Sequence, residues 1–492
     1  MPTLRLLTAL VALLGTVRLA PGQDTLHERW YVLEMMGTRA GWTHARVHRD
    51  GDLISTDMAM HMELNRAGAG ITIRIDSTFV ETRGGEPVSA STTMAMGGAG
   101  ATTTRYTFTP EGIVQETDSA GQTTKTTLPP IEGVWLTPAE SRTYLTERLK
   151  AEPESITLRT VDPTMSIQPV TITYTGFTQT TLELLGRTVK AWKCTSTNSA
   201  APTITSTEYL DDRGEALRTE MNMGGMTIVM IAADRELAVS EVQAPEMMAS
   251  LFIRPSKPIA GARTLEKATY LLHVPEGELA APPETGSQRV ERVDEQSVRV
   301  TINAGTFAPA GEVDAAPYLE RSTMLDTGDE KIRELCRQAL EGAEEGKAER
   351  AEMLRRFVHR HIDKKNLGVG FASASEVARS CEGDCSEHGT LLAALLRVDG
   401  IPARVVSGVV YVDEFAGSNA IFGYHMWTQA LLTIDGQRRW VDLDATLPGA
   451  LTYDATHIAL GLSSLNDGQV VNGLVSLAPL MGRLQIDVES LD

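Results

Sequence analysis

The sequence predicts an α+β protein in which antiparallel, β-rich modules precede a mixed domain of helices and strands. Three observations carry this prediction. Residues 24–250 are rich in Thr, Val and Ile with a period of two, and residues 261–320 repeat that pattern on a smaller scale. Residues 321–492 begin with two helical stripes before strand patterns return. A chain of 492 residues is too long for one compact core, which favours several domains.

The N-terminal segment is typical of an export signal. Arg5 precedes an apolar run at residues 6–17, which is too short to span a bilayer, and Ala20-Pro21-Gly22 supplies small residues at cleavage distance. We therefore predict a signal peptide over residues 1–22 and an exported, periplasmic or extracellular protein. A buried first helix or a retained anchor is the alternative. No later stretch reaches 18 uninterrupted apolar residues, so we expect no transmembrane segment.

Residues 24–250 should form an antiparallel sheet. The segment from Gly70 to Ile75 alternates strictly, and Asp50-Gly51 is a good turn signal. One helix interrupts the strands, because Thr137-Pro138 supplies a cap and a first position and the pattern continues to about residue 150. The segments 29–120 and 170–235 share a plan of strand, turn, strand and a Met/Gly-rich strand. We read them as two related halves of one curved sheet.

The remainder of the chain divides at a segment rich in proline and small residues. Pro255 and Pro258 make residues 251–260 a boundary. A small strand-rich module follows at residues 261–320, and a catalytic domain is predicted over 321–492. Its first helices should begin near Asp329 and cover residues 348–362.

Charge and cysteine content exclude some classes of function. The formal net charge of −19 argues against a nucleic-acid partner, which would require a basic face. Four cysteines are few for an exported protein of this size, so disulfides are not its framework. Cys336 lies on a helical apolar stripe and Cys194 in a strand pattern, and both are predicted to be core residues.

A candidate nucleophile lies at Gly383-Asp384-Cys385, directly before a long apolar run. The glycine permits a tight entry turn, and Cys385 then opens a helix. A thiol at a helix N-terminus faces unpaired N–H groups and the positive end of the dipole, which favours the thiolate. We therefore expect a depressed pKa for Cys385.

A candidate base and acid lie in a predicted hairpin downstream. His425 starts one strand, Asp435-Gly436 makes the turn, and the returning strand ends near Asp444. His425 and Asp444 can then lie side by side, so that the carboxylate orients the imidazole and the imidazole takes the cysteine proton. Asp442 is the competing acid, and its distance from Trp440 favours Asp444 instead.

Together these motifs resemble the transglutaminase-like superfamily over residues 340–450. They are a cysteine at a helix start, a Gly-Ile-Pro-Ala-Arg turn at residues 400–404, His425-Met426-Trp427, and Trp-x-x-x-Asp-x-Thr at residues 440–446. They occur in the family's order. The family usually has proline where this chain has Ala445.

The resemblance implies a papain-like fold and a Cys385–His425–Asp444 triad that transfers acyl groups. Such a triad attacks a glutamine carboxamide or a peptide bond and forms a thioester, so protein or peptide substrates are expected, with no cofactor and no metal. The backbone N–H of Cys385 would be one oxyanion donor, and residues 330–384 lack the tryptophan that supplies a second donor in animal transglutaminases. A cysteine peptidase or amidase is the enzymatic alternative. A non-catalytic cell-envelope binding protein with a vestigial triad is the alternative from another class.

Neighbouring residues allow two further interpretations of Cys385. Cys381, Cys385 and His388 have the spacing Cys-x₃-Cys-x₂-His, but a zinc site needs a further ligand pair at short spacing and none is nearby. Cys381 could instead pair with Cys385 as a disulfide. His388, Glu387 and Arg404 are interpreted as local structure.

Overall fold

The computed structural model describes residues 24–492 except 99, 120, 165, 224, 344–345, 452 and 467–476. The predicted signal peptide, residues 1–22, lies outside the described residues. Among the helices that are described, none combines the length and the apolar character needed to cross a membrane.

Fourteen strands form one antiparallel sheet in the N-terminal half. They are β1 (Asp24–Met35), β2 (Thr38–Asp50), β3 (Leu53–Arg66), β4 (Ala69–Thr82), β5 (Pro87–Met96), β6 (Thr102–Thr109), β7 (Gly112–Ser119), β8 (Gln122–Leu128), β9 (Ser155–Asp162), β10 (Ser166–Leu184), β11 (Arg187–Asn198), β12 (Ala201–Leu210), β13 (Ala216–Met223) and β14 (Met226–Ala233). Their order is β8 to β1, then β14 to β9, so two runs of hairpins join where β1 pairs with β14. The predicted antiparallel, β-rich character is confirmed.

The sheet curls because strands from its two runs share buried side chains. Phe79, Tyr106 and Ile113 of the first run form one core cluster with Val161 and Ile167 of the second. The predicted helix is present as α1 (Pro138–Leu149), with Thr137 and Glu140 forming its capping box.

The C-terminal half begins after two short helices, α2 (Arg235–Ala238) and α3 (Met248–Leu251). Its elements in chain order are β15 (Lys267–His273), β16 (Gln288–Arg292), β17 (Ser297–Asn303), α4 (Glu330–Ala339), α5 (Lys347–His361), β18 (Lys364–Lys365), α6 (Ala374–Ser380), β19 (Glu382–Gly383), α7 (Cys385–Val398), β20 (Ala403–Phe415), β21 (Ser418–Ile434), β22 (Gln437–Leu443), β23 (Ile458–Ser463) and β24 (Gln485–Leu491). The helices predicted near Asp329 and over 348–362 correspond to α4, whose N-cap is Asp329, and α5.

Two four-stranded sheets organise this half. One has the order β16-β17-β15-β24, so the last strand of the chain joins the predicted small module. The other has the order β22-β21-β20-β23. Tyr270 and Leu272 of the first sheet share a buried cluster with Tyr411 and Phe422 of the second, so the module at residues 261–320 packs into the same core as the catalytic sheet.

Helix α7 is the centre of the C-terminal half. Its residues from Leu391 to Leu396 are fully buried, in one cluster with apolar residues of α4, α5 and α6. On its other side the helix packs on β21, where Thr428 Oγ1 donates a hydrogen bond to the Gly389 carbonyl oxygen at 3.0 Å. This packing fixes the position of Cys385 at the first turn.

The N-terminal sheet touches the catalytic half beside α7. Gly97 pairs with Val369, and the Gly98 N–H donates to the Gly368 carbonyl at 3.0 Å. Gly97 has φ +58°, and a Cβ there would lie 2.2 Å from the Gly368 oxygen, so the close approach requires glycine. The sheet therefore borders the loop that leads to α6 and Cys385.

Candidate active site

Cys385 is held at the first position of α7 by a reciprocal cap. The Asp384 carboxylate accepts from the Ser386 N–H at 2.9 Å, and Glu387 accepts from the Asp384 N–H at 2.8 Å. Glu387 also accepts from the Ala372 N–H at 2.9 Å, which ties the preceding loop to the helix. Burial and Asp384 raise the pKa of Glu387 to about 7. Glu387 thus belongs to local structure, as predicted.

The Cys385 thiol is half-buried, and its charge state differs from the expectation. Burial, followed by the nearby Asp384 carboxylate, raises the pKa of Cys385 well above its ordinary value. The Met426 backbone N–H and the Arg66 guanidinium act in the opposite direction without overcoming burial. The predicted depressed pKa is therefore wrong, because desolvation and an adjacent carboxylate outweigh the helix terminus. Its surroundings therefore favour the neutral thiol over the thiolate.

His425 and Asp444 are brought together by the predicted hairpin. His425 lies in β21, Asp444 follows the last residue of β22, and His425 Nε2 donates to Asp444 Oδ2 at 2.8 Å. The other carboxylate oxygen accepts from the N–H and Oγ1 of Thr446, both at 2.7 Å. Because the Met426 N–H faces the Cys385 sulfur, the strand that carries His425 also borders the nucleophile.

Asp442, the competing acid, belongs to a separate network. It accepts from Trp427 Nε1 at 2.8 Å, Gln429 Nε2 at 2.7 Å and Ser287 Oγ at 2.7 Å. Burial raises the pKa of Asp442. The structure therefore places Asp444, and not Asp442, against His425.

A second histidine, His457, contacts Asp444 and was missed in the sequence. It is fully buried, and its Nε2 lies 3.2 Å from Asp444 Oδ2. Its Nδ1 lies 3.1 Å from the carbonyl oxygen of Asp454 and 3.3 Å from that residue's Oδ1. Arg263 in turn pairs with Asp454 at 2.6 Å. Asp444 thus stands between two histidines.

The charge of Asp444 is maintained by these neighbours. Burial opposes the charged carboxylate, but His425 and His457 outweigh it and hold the pKa of Asp444 well below its ordinary value. Burial also opposes a charged His457, yet Asp454 and Asp444 outweigh it and raise the pKa of His457 to about 9.

Arg355 of α5 fixes the loop after β22, a role that no sequence pattern predicted. The side chain is fully buried and donates to the carbonyl oxygens of Asp444 at 3.2 Å, Leu447 at 2.7 Å and Gly449 at 2.6 Å. His359, one turn along α5, contacts the Ala445 carbonyl at 3.0 Å. Helix α5 therefore anchors the segment that carries the acid.

The sequence contains one repeat that could have drawn attention to His457. Asp444-Ala445-Thr446 is repeated as Asp454-Ala455-Thr456, directly before His457. In both places the aspartate Oδ1 accepts from the N–H and Oγ1 of the threonine. The repeat marks two turns that present carboxylates to the same imidazole.

The residues considered for a zinc site have other partners. Cys381 Sγ lies 3.5 Å from His361 Nε2, and His388 lies between Lys365 Nζ at 2.6 Å and the Asp384 carbonyl at 2.5 Å. Cys381 and Cys385 are both free thiols. His388 is therefore a local packing residue whose burial lowers its pKa to about 4.

Within the part of the chain that the structure describes, one group has the proximity that a metal needs. It consists of His425, Asp444 and His457, whose ligand atoms lie within 4.8 Å of one another. Hydrogen bonds from both histidines to Asp444 account for that spacing. We interpret the group as a hydrogen-bond network.

Comparison with known proteins identifies the C-terminal half. Residues 333–445 match the family model of the transglutaminase-like superfamily. The match confirms the resemblance predicted from the motifs and, with it, the transglutaminase-like fold of the C-terminal domain. No curated protein matches the chain.

Three solved structures show distant similarity. A beta-barrel-like protein of a domain of unknown function from Brucella abortus has a TM-score of 0.33 and 10% identity, covering 42% of this chain and 95% of that one. A candidate cysteine protease from Cytophaga hutchinsonii has a TM-score of 0.28 and 15% identity, covering 46% and 86%. A candidate protease from Parabacteroides distasonis has a TM-score of 0.19 and 13% identity, covering 76% and 68%.

Proposed function

We propose that this chain is an exported cysteine acyl-transfer enzyme that acts on amide bonds through Cys385, His425 and Asp444. One observation carries the proposal: His425 donates to a buried, charged Asp444 at 2.8 Å, on the strand whose next N–H faces the Cys385 sulfur. These contacts support the assignment of a nucleophile, a base and an orienting acid to Cys385, His425 and Asp444. The predicted signal peptide supports export, and a protein or peptide is the proposed substrate.

The first half-reaction begins from a neutral thiol. As the Cys385 sulfur attacks the amide carbon, His425 accepts the thiol proton and the C–S bond forms. The carbonyl π electrons move to oxygen, which the Cys385 backbone N–H can stabilise at the start of α7. His425 then returns the proton to the leaving nitrogen, the C–N bond breaks, and ammonia or an amine leaves a thioester.

The second half-reaction releases the acyl group. His425 takes a proton from an incoming amine or water, the nucleophile attacks the thioester, and the C–S bond breaks with return of a proton to sulfur. An amine acceptor yields a new amide, and water yields a carboxylate. Transamidation and cysteine peptidase or amidase activity therefore share every residue of the site, and the acceptor decides between them.

Thiol labelling and acyl trapping test the proposal. Cys385, which is only half-buried and has His425 as its proposed base, should react with iodoacetamide at neutral pH faster than Cys336, which is buried in the core. A glutamine-containing protein and a fluorescent amine should give amine incorporation or released ammonia, and mass spectrometry should detect an acyl adduct on Cys385. Cys385→Ser should abolish all of these, whereas Cys381→Ser, four residues earlier, should retain them.

Unreactive Cys385 would favour the alternative, a cell-envelope binding protein with a vestigial triad. In that case alkylation of Cys385 would be no faster than that of Cys336. Amine incorporation with unchanged rate in Cys385→Ser would equally contradict a thioester mechanism.

A further inference from the structure

His457 has oxygen acceptors at both ring nitrogens. Nε2 faces Asp444 Oδ2 at 3.2 Å, and Nδ1 faces the carbonyl oxygen and Oδ1 of Asp454 at 3.1 and 3.3 Å. A neutral imidazole carries one proton and would direct a lone pair at one of these oxygens. Only the doubly protonated ring donates at both ends, so the geometry favours an imidazolium, although the ring has no solvent exposure.

His388 provides the contrast within the same domain. Its Nδ1 donates to the Asp384 carbonyl at 2.5 Å, while Nε2 accepts from Lys365 Nζ at 2.6 Å. One donor and one acceptor suit a neutral ring, and burial lowers the pKa of His388 to about 4. The difference between the two buried histidines therefore arises from their partners.

Positively and negatively charged side chains alternate in a series of contacts that ends at Asp444. Arg263 pairs with Asp454 at 2.6 Å, Asp454 contacts His457, and His457 contacts Asp444. The four charges cancel before His425 is counted. An imidazolium on His425 would therefore add one uncompensated positive charge next to His457, whose ring centroid lies 5.8 Å away.

We infer that His457 is a positioning residue, charged at neutral pH, that neutralises Asp444 and thereby keeps the proposed Cys385–His425 pair in its neutral, thiol–imidazole form. The role rests on the proposed function, because it assumes that Asp444 serves His425. Without His457, Asp444 would stabilise His425 as an imidazolium more strongly and favour the thiolate. The charged pair would then exist before substrate binds.

The other side chains around His457 are compatible with a positive charge on its ring. The Tyr453 ring lies tilted against the His457 ring, with centroids 4.7 Å apart, and its hydroxyl donates to the His457 carbonyl oxygen at 3.1 Å. Trp427 meets the His457 ring edge-on at 5.3 Å. Asp442 is a further acid in the field of His457. The acidic groups, Asp442, Asp444 and Asp454, thus favour a positively charged His457 ring. The basic group next to that ring is His425.

A pH profile of Cys385 alkylation tests the inference. His457→Gln keeps an amide donor toward Asp444 but removes the charge, and the alkylation midpoint should fall by about one pH unit. His273→Gln is the matched control. His273, on β15, contacts the half-exposed Asp487 and lies outside the buried network, so its replacement should leave the alkylation midpoint of Cys385 unchanged. A midpoint that is unmoved or higher in His457→Gln would overturn the inference, since a merely structural residue would change yield or rate without lowering it.

Nitrogen-15 NMR of the wild-type protein gives a second test that needs no variant. At pH 7.5 both ring nitrogens of His457 should carry protons, with His388 as the singly protonated internal reference. A singly protonated His457 would overturn the inference even if His457→Gln fails to fold. Neither readout requires turnover. A wild-type Cys385 no more reactive than Cys336 would refute the proposed function and leave the two-proton signal of His457 standing.

Discussion

The two halves of the molecule differ in where their ion pairs lie. On the N-terminal sheet, pairs such as Arg105–Asp118 and Lys125–Glu116 lie on exposed strands, where an ion pair contributes about 0–1 kcal/mol. In the catalytic half, Asp444 and His457 are buried together, where losing one partner leaves an uncompensated charge. The difference shows that a group of buried charges that depend on one another lies in the C-terminal half, between Asp444 and His457.

Among the residues that the structure describes, one ion pair joins the two halves, and it lies next to the proposed nucleophile. Arg66, the last residue of β3, lies 2.9 Å from Asp384, which directly precedes Cys385. Gly100 of the sheet also donates its N–H to Glu376, at the start of α6, at 2.7 Å. The described part of the sheet therefore contacts the start of α6 and α7 through few residues, so substitutions can separate its influence from that of the buried network.

The largest effect on the turnover rate is expected from replacing Asp444, which orients the proposed base His425. Asp444→Asn should lower the turnover rate about 10³–10⁴-fold, because the amide cannot stabilise a charged His425 and can present the wrong partner to its Nε2. The measurement is the rate of amine incorporation or amide hydrolysis per folded molecule, well below the melting temperature.

Asp442→Asn is the matched control, with the same chemical change two residues earlier. Its amide oxygen can still accept from Trp427 and Gln429, and its NH₂ can donate to Ser287 Oγ, so the rate should stay within about threefold. Equal losses in both variants would show that Asp444 has no special relation to His425.

The next effect concerns stability against pH. The folded pKa of His457, about 9, exceeds the ordinary value of 6.5. Its stabilisation is therefore fully present below pH 6.5 and is lost as the pH rises through about 9, a change of about 3 kcal/mol. Hydrogen exchange of the α7 amides in urea should show this alkaline loss in the wild-type protein.

His457→Gln supplies the comparison, since it has no proton to lose in that range. The variant should be less stable at pH 6 but should lack the additional decline between pH 6.5 and 9. Parallel pH dependences in the two proteins would contradict a charged His457. The N-terminal sheet should show the same pH dependence in both proteins, because its ion pairs are separate.

Local patterns predicted much of the catalytic half. The start of α7 at Cys385, the turn at Asp435-Gly436 and the position of Asp444 near the end of a strand depend on neighbours in sequence, which propensity and periodicity describe. The neutral state of Cys385 could not be predicted in this way, because it arises from burial and from the charge of Asp384. His457 was missed because its partners approach from separate turns.

Long-range pairing explains the remaining differences in the fold. The module predicted at residues 261–320 receives its fourth strand, β24, from the end of the chain. Ile253, inside the predicted boundary at 251–260, pairs with Phe422 of β21 through hydrogen bonds of 2.7 and 2.9 Å. Neither contact has a local signal, since each joins segments more than 150 residues apart.

A fragment without the sheet tests how independent the halves are. The sequence predicts that a fragment starting near residue 255 folds alone and keeps a reactive Cys385, and the Ile253 pairing indicates that the start belongs near residue 250. We expect residues 250–492 to be soluble and Cys385 to be alkylated within about tenfold of the full-length rate. An insoluble product, or a folded one with unreactive Cys385, would show that the sheet completes the active site.

The smallest effect is expected from removing the Arg66–Asp384 ion pair, which joins the two halves. Arg66→Gln removes the cation that offsets Asp384 beside the nucleophile, so the pKa of Cys385 should rise further and its alkylation midpoint should move to higher pH. Because Arg66 is partly exposed, we expect only about threefold slower alkylation at pH 7.5. Raising the salt concentration should slow the wild-type protein toward the variant, since screening weakens the same attraction.

Arg105→Gln is the matched control for this last prediction. It removes an arginine from an ion pair on the same sheet, in β6, and should leave the Cys385 profile unchanged. A shift of the same size in both variants would mean that the net charge of the protein, and not the Arg66–Asp384 contact, tunes the thiol. No shift in Arg66→Gln, with a reactive fragment, would mean that the sheet has no electrostatic role at the site. A shift in Arg66→Gln alone would make the sheet an electrostatic part of the active site, acting through Asp384.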